Sequence, residues 1–142
     1  MKWIISIIAV CLLWFLISFF RSVATEKKKV KKQGGIINIY KEFFDGIMQY
    51  KTACISHEES LYVVISGMFV DSTNGGKCGT WSISLQQAFS IIEMRFYAKN
   101  DIGGVLPTNK KWTFNLPADS QLMLFTVQLE IEKQKALSHI IA

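Results

Sequence analysis

Residues 3–20 read WIISIIAVCLLWFLISFF, eighteen positions without a charge, a proline or a glycine, and with only Ser6 and Ser18 polar. A helix of that length is roughly 27 Å long, close to the roughly 30 Å hydrocarbon core of a bilayer. Twelve of the eighteen are Leu, Ile, Phe or Val, whose preference for lipid outweighs the two weakly polar serines. Residues 1–21 are therefore expected to form a transmembrane anchor in the lipid bilayer. Trp3, Trp14, Phe19, Phe20 and Arg21 are its anchoring residues, with Trp3 and the Phe19-Phe20-Arg21 end suited to the two interfaces, where rings and a long basic side chain reach headgroups. A cleavable signal peptide is the competing reading, with Lys2 as its basic start and Ser22-Val23-Ala24 as small residues near a cleavage point. The run is longer and bulkier than a usual apolar signal core and is followed at once by Arg21, which favours a retained single-pass signal anchor.

Half of the 142 residues are apolar and 19% are charged, and the anchor accounts for much of that imbalance. What remains is enough for one modest domain and too little for a large multidomain enzyme. The formal charge of +5 is just as uneven. Before Ile36 seven bases face only Glu26, leaving +6, whereas nine bases and ten acids leave −1 over the rest of the chain. Bases that flank an apolar run, instead of interleaving with aromatics on a folded surface, do not make a nucleic-acid interface, and none is expected.

Residues 22–35 read as a basic juxtamembrane linker ending at Gly34-Gly35, with Lys27, Lys28, Lys29, Lys31 and Lys32 as anionic-lipid contacts. The same bases bias topology. The positive-inside rule keeps the following domain on the cytoplasmic side, the alternative being an exported, periplasmic or extracellular one.

Residues 36–134 carry the pattern of a globular α+β domain, and residues 135–142 a C-terminal tail. Ile36, Ile39, Tyr40, Phe43, Ile47 and Tyr50 recur at helical spacing and predict one amphipathic helix, in which Gly46 needs packing to offset its cost. Residues 61–70, LYVVISGMFV, are β-branched and aromatic at alternate positions of both sets, as in a strand buried on both sides. Asn74-Gly75 is the strongest turn signal in the chain, with residues 78–84 returning as an antiparallel partner. Residues 85–99 predict a helix, on a capping pair Ser84 and Gln87 and on Leu85, Ala88, Phe89, Ile92 and Phe96 sharing a face. Residues 103–111 form a loop. Trp112, Phe114 and Leu116 alternate as a strand. After a turn at residues 117–120, Met123, Phe125, Val127, Leu129 and Ile131 alternate as a half-buried strand over 121–132. The resulting order is α-β-β-α-β-β, an antiparallel sheet with two helices. If 85–99 is extended instead, the result is a β-sandwich with one N-terminal helix.

No motif in this domain carries recognised chemistry. Cys54, Ser56, His57, Glu58 and Glu59 gather thiol, imidazole and carboxylates, but no second ligand cluster completes a metal site, and none is expected. Cys54 and Cys78 are open to pairing or to remaining free thiols. Asn74-Gly75-Gly76-Lys77 lacks the spacing of a phosphate loop, and Gly103-Gly104 that of a dinucleotide fingerprint. Trp81 and Trp112 suit core or rim positions. No cofactor follows. The leading expectation is a non-catalytic domain that binds a protein partner or a second copy of itself, or scaffolds a membrane complex. The alternatives are a membrane-tethered enzyme using Cys54 or Cys78, and an exported ligand- or lipid-binding domain with its pocket between helices and sheet. Two helices on one face of the sheet would leave Tyr62, Val64, Met68 and Val70 uncovered as a candidate interface.

Overall fold

A computed structural model describes residues 2–101, 107–136 and 140–141. The apolar run opens a single helix, α1 (Lys2–Lys32), that continues without a break through the basic stretch. What the sequence presents as a linker is thus helical, and Val30 within it is buried in the domain core. The helix ends before Gly34, whose φ of 85° lies in the left-handed region that glycine adopts without steric cost.

The single amphipathic helix expected over 36–50 is two short ones, α2 (Gly35–Ile39) and α3 (Lys41–Ile47), separated at Tyr40, where φ −111° and ψ 41° leave the helical region. Its stripe survives the break, with Ile36, Tyr40, Phe43 and Ile47 all buried. At Gly46 a Cβ would overlap the Leu124 side chain of the helix over Ser120–Ala136, so glycine there permits close helix approach.

Five strands then follow in order, β1 (Cys54–Glu59), β2 (Tyr62–Asp71), β3 (Lys77–Ala88), β4 (Ile91–Asn100) and β5 (Thr108–Asn115), each antiparallel to the one before. The Asn74-Gly75 turn joins β2 to β3, with Gly75 at φ 70° and its N–H donating to the Asp71 carbonyl. Helix α4 (Ser120–Ala136) closes the domain, and β6 (Ile140–Ile141) pairs with Val70 and Asp71. The architecture is α+β: a long apolar helix, an open antiparallel sheet and helices on one of its faces. Among the described residues there is one sheet, and the sandwich alternative does not occur.

Two expected elements exchange their types. Residues 85–99, expected as a helix, are the end of β3 and nearly all of β4, joined by a two-residue turn at Phe89-Ser90. Ile92, Met94, Phe96 and Ala98 face the core, while Arg95, Tyr97 and Lys99 are exposed. Residues 121–132, expected as a strand, lie in α4, where Met123, Val127 and Ile131 are buried at four-residue spacing and Phe125 and Leu129 stand exposed. Asp119 starts this helix by accepting the Gln121 and Leu122 N–H groups on Oδ1, at 2.8 and 3.3 Å.

Strand β2 is buried on one side instead of two. Val63, Ile65 and Phe69 join Trp81, Ile83, Leu85, Met94 and Phe96 in the core under α3 and α4. Gly67 is the gap in that row. A Cβ there would overlap the Trp81 indole, which lies across it from the paired position of β3.

Candidate docking face and cleft at the N-terminal helix

Among the described residues no helix lies on the opposite face of the sheet. The register aligns His57, Val64, Ser84, Arg95 and Lys111 in one row across the five strands, and Cys54, Ser66, Ser82, Tyr97 and Asn109 in the next. Three of the four candidate interface residues share this face. Tyr62 and Val64 are half-buried and Met68 is 43% exposed. Val70 lies beyond a bulge at Phe69/Val70, where the β3 register shifts, and pairs with Ile141 of β6. That bulge takes it out of the regular row. A groove of about 450 Å³ runs between Thr52, Cys54, Met68, Thr80 and Tyr97.

The polar groups of this face sort by strand. On the β4–β5 side Glu93 takes an ion pair from Arg95 Nε at 2.6 Å and another from Lys111 Nζ. Their hydrogen bonds, Lys111 first and Arg95 second, hold the Glu93 carboxyl below the usual carboxylate range. On the β1 side His57 Nε2 lies 3.3 Å from Glu59 Oε1, and the His57 and Tyr62 rings are 5.6 Å apart. The Cys54 to Glu59 cluster is β1 itself, an exposed edge strand, and no group of three metal-ligating side chains forms among the described residues. Cys54 and Cys78 are both free, one exposed and the other buried. Burial first, then the nearby Asp71 and Asp101, push the Cys78 thiol up, away from the thiolate a nucleophile needs.

A second site lies where α1 meets the sheet. Val23, Glu26 and Val30 fall three and four residues apart, one face of the helix, and are the positions withdrawn from solvent. Glu26 Oε2 accepts the backbone N–H of Phe89 at 2.8 Å, and the Phe89 ring lies 5.8 Å from that of Phe19 at 54°. Beside this contact opens a cleft of about 550 Å³ lined by Glu26, Lys29, Tyr40, Gln87, Phe89 and Leu116. Gln87 is buried, and its side-chain carbonyl has no partner among the described residues. Burial also raises the Tyr40 hydroxyl above its ordinary value.

Of the anchor residues, Trp3, Trp14, Phe19 and Phe20 are all exposed on α1, as are Arg21 and the five lysines. The helix is long and apolar enough to cross a membrane, and none of its most apolar window is buried against the domain. Sequence reasoning missed Glu26, Gln87 and Phe89. Only Glu26 carried a signal, as the lone acid in a basic segment. No family model, no curated protein and no solved structure matches the chain.

Proposed function

We propose that this chain is a single-pass membrane-tethered docking module, without catalysis of its own, that binds a protein partner through the open face of its sheet. The observation that supports this most is the one-sided layering. Helices cover the face bearing Val63, Ile65 and Phe69, while Tyr62, Val64, Met68 and Tyr97 face outward among serines and threonines. A stable complex on such a face buries on the order of 1,600 Å² in total, with aromatic and methionine side chains at its centre.

The charge distribution supports a cytoplasmic domain, with six bases in twelve residues after the span against Lys2 before it. Because α1 is continuous, Lys32 stands roughly 18 Å along the axis from Phe20, so Arg21 and Lys27 to Lys29 are better placed than Lys31 and Lys32 for anionic headgroups.

The test uses the full chain in phospholipid nanodiscs. Val64→Asp with Met68→Lys should abolish co-purification of a partner or of a second, differently tagged copy, while circular dichroism and membrane retention stay unchanged. Retained association would remove the reading. A ligand-binding module is the second reading, supported by the unpartnered Gln87 carbonyl beside the cleft at α1. Gln87→Leu would then alter the spectrum of bound small molecules and leave protein association alone.

A further inference from the structure

The turn between β3 and β4 is chemically odd. Its two residues are Phe89 and Ser90, and Phe89 has φ 53°, the only positive φ outside glycine among the described residues. Two-residue hairpin turns need such angles and ordinarily place Gly, Asn or Asp there, whereas a bulky residue in this region is strained. The ring is only partly buried in exchange, remaining 47% exposed. What it does meet is Phe19, at the end of the uncharged run, and its backbone is fastened by Glu26 two turns further along α1. The β1–β2 turn reaches the same place, because Phe19, Val23, Leu61 and Phe89 line one small cavity.

We propose that the β3–β4 turn is a second membrane contact, with Phe89 seated in the interfacial layer of the bilayer beside Phe19. This rests on the reading of α1 as an anchor. If α1 spans the bilayer, Phe19 lies at the boundary between hydrocarbon and headgroups, and a ring packed against it lies at the same depth. Aromatic side chains favour that layer. The strained backbone is thereby retained because the ring occupies lipid, and the Glu26 acceptor holds the sheet at one height and one rotation above the membrane.

The test places photoreactive benzoylphenylalanine in the full chain at position 89, at Phe15 within the span and at Tyr97. Tyr97 is exposed and lies six residues from the start of β4, about 20 Å along the strand. In vesicles of phosphatidylcholine and phosphatidylglycerol, positions 15 and 89 should cross-link phospholipid and position 97 should not. Lipid adducts at 15 without adducts at 89 overturn the proposal and leave the anchor standing. Absence of adducts at both overturns the anchor and the proposal together. Should the position-89 variant fail to fold, Ser90→Cys gives an independent reading by peptide mass mapping after a water-soluble maleimide. Ser90 and Cys54 are both exposed in the protein, so labelling at 90 roughly tenfold slower than at Cys54 in vesicles supports lipid cover, and equal rates overturn it.

Discussion

The backbone N–H of Phe89 donates to the Glu26 carboxylate at 2.8 Å across 63 positions of sequence, fastening the tip of a β-hairpin to the helix that leads out of the apolar span. This bond makes the end of α1 part of the domain instead of a tether to it, together with the burial of Val30. The relation between the sheet and the helix axis is therefore set by the fold.

Glu26→Ala should lower the stability of the full chain in detergent by about 1 kcal/mol, since a bond to a charged acceptor is lost at a partly exposed site. Phe89→Gly should act in the opposite sense, raising stability by up to about 1 kcal/mol as the left-handed strain is relieved. Urea unfolding followed by circular dichroism measures both. A Phe89→Gly variant less stable than the parent in detergent would mean that the ring contributes packing to the domain.

Asp119 carries the start of α4, and its two acceptor bonds satisfy N–H groups that no helical carbonyl can reach. Asp119→Ala is expected to cost about 1 kcal/mol, and Asp119→Asn or Asp119→Ser much less, because either keeps an acceptor at the cap. The thermal midpoints of the three variants check this ordering.

The α4 segment also shows why part of the fold was hidden in the sequence. Met123, Val127 and Ile131 are four residues apart, a spacing that a strand of period 2 and a helix of period 3.6 both place on one side. Phe125 and Leu129 decide between them. In a strand they would share the buried face, and in the protein they are exposed. Around residue 89 the difficulty is different. The alternation of Ile92, Met94, Phe96 and Ala98 was legible, but Phe89-Ser90 has none of the turn chemistry that divides one helix-length run into two strands. The α+β class was reached although two elements exchange their types, and the Asn74-Gly75 hairpin and the stripe from Ile36 to Ile47 were legible because each follows from local spacing. The cleft at α1 was not, since Glu26, Gln87 and Leu116 meet only through the tertiary fold.

The two domain thiols should separate cleanly in reactivity. Cys54 lies exposed on edge strand β1, and Cys78 is buried with its thiol pushed up. Iodoacetamide on the folded chain at neutral pH should modify Cys54 and leave Cys78 intact until denaturant is added, as read by peptide mass. Rapid modification of Cys78 in the folded state would revive the tethered-enzyme reading.

Glu93 sets an acid limit on the outer face. Its carboxyl is held below the ordinary glutamate value by Lys111 and then Arg95, so its folded pKa lies under its unfolded one of about 4.3. A depressed carboxylate contributes stability that is fully present well above the unfolded value and is lost as pH falls through the folded one. Glu93→Gln should therefore be less stable than the parent at pH 7, and the difference should shrink steadily below about pH 4. Salt should also narrow the gap at pH 7, because Arg95 and Lys111 are more than half exposed and charges open to solvent are screened. Denaturant midpoints over a pH series with and without added salt measure both trends. A gap unchanged below pH 4 would mean that Glu93 acts through its hydrogen-bonding shape and not its charge, since glutamine keeps an acceptor oxygen there.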